Sequence, residues 1–189
     1  MTMKKLLFIL AILSAGVLVN AQAATYKGVT VADSASVGGK TLVLNGMGLR
    51  TKFFFKIYVG ALYLPQKAGT AAAVMSENGP DRILMHMIYA VSKSQFADAW
   101  HAGFKDNNPQ MSDAVKAGME QFIACFGNSK KGDVITLDYV PGQGTQVSWN
   151  GAFCGNIPGE DFHKALLNVF LGPKPPTREL KNGLLGKNS

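Results

Sequence analysis

The chain has 189 residues, with 19 Lys and Arg against 12 Asp and Glu, a formal net charge of +7 and two cysteines. A basic balance of this kind suits nucleic acid, anionic ligands or membrane surfaces, and the N-terminus argues against the first. Met1 to Lys5 supplies a positive segment, Leu6 to Val19 is an apolar run without charge, and Ala21-Gln22-Ala23 has the small-x-small pattern of a cleavage site. Residues 1–23 therefore read as a secretory signal peptide. Its apolar run is shorter than the roughly 20 residues that span a bilayer, and no second such run follows. No stable membrane span is expected after cleavage. The short n-region with paired lysines points to the bacterial periplasm. Residues 24–189 then fit a single domain with a sizeable core.

Taken in order, Thr25–Lys27 and Val29–Val31 read as short strands before a Ser/Gly-rich loop. Thr41–Leu44 is a strand. Asn45-Gly46 is a strong hairpin signal, with Met47–Arg50 as the returning strand. Phe53–Leu64 is the longest β-prone run. Its alternation separates Phe53, Phe55, Ile57, Val59, Ala61 and Tyr63, an apolar face, from Lys52, Phe54, Lys56, Tyr58, Gly60, Leu62 and Leu64. The second set reads either as a solvent face or as the wall of an amphipathic pocket.

Thr70–Glu77 is a short helix capped by Thr70. Arg82–Val91 is a strand apolar on both sides, with Ile83, Met85, Met87 and Tyr89 sharing a face. Helical spacing follows over Ser92–Lys105, with a capping box at Ser92 and Gln95, and over Ser112–Phe126. A three-strand meander covers Asp133–Val140, Thr145–Trp149 and Ala152–Cys154. A third helix over Gly159–Phe170 and a short one around Leu180 and Leu184 complete the chain. Strands cluster, helices cluster and strands return, so the expected class is α+β, an antiparallel sheet with helices on one face.

The sequence lacks H-E-x-x-H, C-x-x-C, G-x-S-x-G, G-x-G-x-x-G and the P-loop. No metal site and no cofactor are expected. His86 reads as a core histidine, and His101 and His163 as exposed helix positions. The carboxylates are scattered, which gives little support to a paired acid/base site. Cys125 and Cys154 are either two buried thiols or, in an oxidising compartment, a disulfide. What remains is Arg50 with Tyr58, Tyr89 and the nearby Lys52 and Lys56. A permanently charged guanidinium beside a phenol donor makes an anion clamp; the plain alternative is a surface arginine. Eight residues of straight strand span about 26 Å, so Arg50 and Tyr58 can meet only if the chain turns between them.

The stretch GLR-x-K-FFF-KIYVGALYL, followed in order by VSKSQFADAWHAGF, KKGDVITLDYVPGQGTQVSWNG and GNIPGEDFHKALLNVFLGPKPP with LKNGLLG, resembles the chalcone isomerase family, especially its exported bacterial branch. The likeness runs from about Gly38 to Gly186. It implies an open-faced β-sandwich, a large antiparallel sheet under a helical layer, with a ligand cleft between them. The family includes isomerases, fatty-acid-binding relatives and non-catalytic forms. The isomerases' substrate-polarising Arg matches Arg50. Their strand Thr matches Tyr58, their water-ordering Tyr falls at Ile88 or Tyr89, their helix Asn falls near Gln95, and a late Thr falls near Val147. Only Arg50 is clearly kept. The resemblance therefore implies a non-catalytic relative that binds a fatty acid or similar amphipathic anion through Arg50, Tyr58, Tyr89 and Gln95. The alternative is a chalcone-type intramolecular lyase using Arg50, Tyr58 and Tyr89.

Overall fold

The computed structural model describes residues 22–187; the signal peptide expected over residues 1–23 lies almost wholly outside them. Seven antiparallel strands form one sheet in the order β3 (Ser34–Val37), β4 (Lys40–Lys52), β5 (Phe55–Leu64), β6 (Asp81–Met87), β7 (Val134–Val140), β8 (Gly144–Trp149) and β9 (Ala152–Ile157). The short strands β1 (Ala23–Tyr26) and β2 (Val29–Ala32) pair separately. Helices α1 (Ala71–Ser76), α2 (Lys93–Asn107), α3 (Asp113–Ala124), α4 (Glu160–Leu171) and α5 (Arg178–Leu184) complete the α+β fold.

Two apolar clusters hold the sheet. The larger buries Leu62, Ile83, Met85, Leu137 and Val147 from the strands against Phe96, Trp100, Phe104, Phe122, Phe126, Phe162 and Phe170 from α2, α3 and α4. Several of its rings meet edge-on, as at Trp100 and Phe122, 4.8 Å between centroids, an arrangement favoured by the ring quadrupole, while Phe104 and Phe162 stack. The smaller cluster lies on the other face, where Val29 and Val31 cover Leu42, Met47, Leu49, Val59, Ala61 and Tyr63. Strand β5 is thus buried on both sides from Ile57 to Leu64. Its expected division into a core face and a mixed face does not hold. From Ile57 onward both sets are buried, and at the lysine-flanked beginning Phe53 and Phe55, expected to face the core, are exposed together with Lys56.

The hairpin expected at Asn45-Gly46 is absent. Strand β4 runs through these residues with a bulge between Leu44 and Gly46. The Asn45 side chain is buried: its amide nitrogen donates to the carbonyls of Ala68 and Leu184, and its oxygen accepts from the Ala68 N–H. Gly46 has a tertiary reason. A Cβ there would run into the Gly183 carbonyl of α5, and a Cβ on Gly48 into that of Leu180. The actual turn is Phe53-Phe54, since Lys52 pairs with Phe55.

Strand β6 stops at Met87, where the N–H groups of Ile88 and Tyr89 both donate to the Ile57 carbonyl. Tyr89 therefore leaves the face of Ile83, Met85 and Met87. His86 is half-buried rather than in the core. The capping box at Ser92 and Gln95 and the Thr70 cap form as expected.

Cys125, closing α3, is bonded to Cys154 on β9, with Cα atoms 5.7 Å apart. The bridge ties the helical layer to the edge strand. Replacing both cysteines by serine is expected to lower unfolding stability by about 3–4 kcal/mol, from the loop-entropy term for a 29-residue separation. Urea denaturation of the oxidised protein and the double variant measures this; unchanged stability would contradict it.

Candidate functional site

The turn at Phe53-Phe54 folds β5 back along β4 and sets Arg50 opposite Tyr58 in the ladder. This is the reversal that the sequence requires before the two residues can cooperate. The guanidinium carbon lies 5.7 Å from the centre of the Tyr58 ring, within cation–π range. Tyr58 is buried, and Arg50 is half-buried above it.

Around the guanidinium lies a pocket of about 240 Å³ lined by Arg50, Lys52, Phe53, Phe55, Ile57, Tyr89, Ala90, Val91 and Gln95. It sits between the end of the sheet and the start of α2. Further along the sheet the space is filled, because α5 lays Leu180 over Gly60 and its backbone against Gly46 and Gly48. The Arg50 pocket is therefore confined to this end of the sheet.

Three of the residues named from sequence, Arg50, Tyr89 and Gln95, share this pocket, and Tyr58 underlies the first. Gln95 uses its side-chain oxygen to cap α2 through the Ser92 N–H, which leaves its amide nitrogen for the pocket. The Tyr89 ring packs against Phe55 at 5.1 Å, tilted by 45°. Val147 is buried in the large cluster and takes no part. Sequence alternation missed Phe53 and Phe55 as pocket walls. The signal was their place between Lys52 and Lys56, where a run of three phenylalanines cannot all face a core.

Burial pushes the Tyr58 phenol up to about 12, while the charge of Arg50 and its hydrogen bonding pull the other way. The phenol therefore stays neutral across the physiological range. Among the described residues no group of three or more His, Cys, Asp and Glu could hold a metal.

A second concavity of about 420 Å³ lies at the opposite end of the sheet, beside Tyr139, Glu160 and His163. Here the sequence reading of His163 is corrected. His163 is buried, its Nε2 lies 2.8 Å from the Asp81 carboxylate, and its ring stacks on Tyr139 at 3.6 Å. Burial pushes the Asp81 carboxyl up, and the hydrogen bond and charge of His163 oppose this. The pair fastens α4 to β6. Two signals marked it: Asp81 shares the inward parity of Ile83 and Met85, and His163 falls within the apolar stripe of Phe162, Leu166 and Phe170. His101 is exposed as expected, beside Glu120.

A family model described as chalcone isomerase-like matches residues 23–186. Among solved structures, a fatty-acid-binding protein of Arabidopsis thaliana is similar in fold, with a TM-score of 0.66 at 15% identity, covering 87% of this chain and 96% of that one. No curated protein matches by sequence.

Tyr58 provides a test of the site's electrostatics. Its folded pKa of about 12 lies above the ordinary value of 10.0, so the native state holds this proton longer than the unfolded chain does. The associated stability is fully present below pH 10 and falls away as pH rises through 12. A two-unit shift corresponds to roughly 3 kcal/mol. Absorbance at 295 nm during alkaline titration should show a late-ionising phenol that disappears in Tyr58→Phe. Tyr26, held to about 12 by burial and Glu179, remains as a second late component. Loss of no late component in Tyr58→Phe would contradict the buried assignment.

Proposed function

We propose, for a chain that belongs to the chalcone isomerase-like family, that the pocket at Arg50 binds a fatty acid or similar amphipathic anion without chemical turnover. The observation that carries this is the Arg50 guanidinium, set over a buried neutral phenol in a pocket whose walls are mainly apolar, with Lys52 as a second cation at its edge. Arg50 takes the carboxylate through charge-assisted hydrogen bonds, which are stronger than neutral ones. The Gln95 amide adds a donor. Ile57, Val91, Phe53 and Phe55 receive the first carbons of the chain. At about 240 Å³ the pocket is smaller than the roughly 300–1,000 Å³ of drug-sized sites. It holds the head group and the adjoining carbons, and the remaining chain lies along the exposed faces of Phe53, Phe55 and Tyr89.

Binding is favoured over isomerisation by the residues present. Of the polar positions that the isomerases use only Arg50 is clearly kept, and Val147, near the position of their late Thr, is buried and apolar. The fatty-acid-binding activity named for the Arabidopsis structure agrees with this reading. The leader pattern of residues 1–23 and the Cys125–Cys154 bridge support an oxidising, periplasmic location.

Arg50→Ala is expected to weaken binding of a long-chain fatty acid by about 1.5–3 kcal/mol, the range for a hydrogen bond to a charged group. Isothermal titration or displacement of a fluorescent fatty acid measures it. Native mass spectrometry of the purified protein should show fatty acid on the wild type and less on the variant. Equal affinity in the two proteins, or no fatty acid binding by either, would refute the assignment.

A further inference from the structure

Six large apolar residues are exposed among the described residues: Val43, Phe53, Phe54, Phe55, Tyr89 and Phe153. All but Val43 lie at one end of the sheet, the end at which the Arg50 pocket opens. Phe53, Phe54 and Phe55 form the β4–β5 tip. Tyr89 follows the end of β6, and Phe153 follows the turn between β8 and β9. Phe54 is 99% exposed and Phe53 85%.

Phe53 also takes a backbone φ of +55°, a left-handed conformation that a side chain larger than Gly, Asn or Asp adopts at a penalty. Folding alone would be better served by Gly or Asn at that position. An aromatic that carries backbone strain while facing water is the pattern of a residue kept for contact with something outside the chain.

The charges at this end are one-sided. Residues 50–57, 87–95, 127–134 and 149–153 form its strand ends and loops and contribute Arg50, Lys52, Lys56, Lys93, Lys130 and Lys131. All five lysines are exposed. The single carboxylate in these segments, Asp133, is buried and accepts from the Lys130 N–H and the Asn150 amide.

We propose that this end of the molecule docks on an anionic phospholipid bilayer. Phe53 and Phe54 enter the interface, the lysines meet lipid phosphates, and the Arg50 pocket opens onto the lipid. Exposed aromatics ringed by lysines match both components of an interfacial site, apolar insertion and attraction to a negative surface. The docking surface stands on its own observations. Its role, passage of an acyl chain between bilayer and pocket, rests on the fatty-acid reading given above.

Co-sedimentation with vesicles tests the surface. The disulfide-bonded protein is mixed with vesicles of phosphatidylglycerol and phosphatidylethanolamine, or of phosphatidylcholine alone. Binding is expected on the anionic vesicles, with strong weakening in high salt and on neutral lipid. Two variants avoid the pocket lining. Phe54→Ser with Phe153→Ser removes insertion, and Lys56→Glu with Lys130→Glu and Lys131→Glu reverses charge. Each is expected to lower vesicle binding by roughly tenfold or more while affinity for a fatty acid presented in solution is retained. Arg50→Ala should show the opposite pattern, vesicle binding kept and fatty acid binding weakened. A wild type that does not sediment with anionic vesicles, or variants that sediment as well as wild type, would overturn the proposal. So would a dimer in sedimentation velocity that Phe54→Ser with Phe153→Ser dissolves while vesicle binding persists, since the surface would then belong to a second copy.

Discussion

The close approach of α5 to β4 is the constraint on which the site depends. A helix whose carbonyls lie against strand backbone leaves no room for side chains at positions 46 and 48, and glycine meets that requirement. The bulge at Asn45 follows, because its side chain satisfies the Leu184 carbonyl at the end of α5 and both backbone groups of Ala68. Thr177 adds a hydrogen bond from its hydroxyl to the Leu49 carbonyl while capping the same helix. With α5 seated, Leu180 covers Gly60 and the inner part of the sheet is closed. The Arg50 pocket lies beyond the helix, at the end of the sheet.

The same arrangement sets the chemistry. Arg50 faces Tyr58 across the ladder just before a second irregularity of β4, between Arg50 and Thr51, and the phenol is buried by the neighbours that exclude water from it. A half-buried guanidinium set over a buried neutral phenol is suited to holding an anion. The pocket is short and opens beside the aromatic tip. Site and surface are therefore adjacent for one reason: the hairpin that positions Arg50 also projects Phe53 and Phe54.

Much of this was legible in the sequence wherever periodicity and local chemistry agreed. The capping box at Ser92, the aromatic spacing of α2, the meander of β7 to β9 and the cysteine pair depend on near neighbours or compartment, and they formed as read. Asn45-Gly46 was misread because a local turn signal and a tertiary close approach call for the same residues. Which of the two operates depends on α5, more than a hundred residues away in the chain. His163 was misplaced for a related reason. Its partner Asp81 lies on a distant strand, and only the shared inward parity of both residues marked the pair. The alternation in β5 failed where strands β1 and β2 cover its second face, a contact that no pattern within β5 encodes.

Holding a carboxylate against Arg50 is the central claim, and the carboxylate itself reports on it. A fatty acid labelled with carbon-13 at its carboxyl, bound to the protein and titrated with acid, gives a resonance that follows its ionisation. Direct pairing with Arg50 predicts that the bound carboxyl stays ionised well below the pH at which the same acid protonates in a bilayer. It also predicts that this difference vanishes in Arg50→Ala. A bound carboxyl that titrates as it does in lipid, with or without Arg50, would contradict the account.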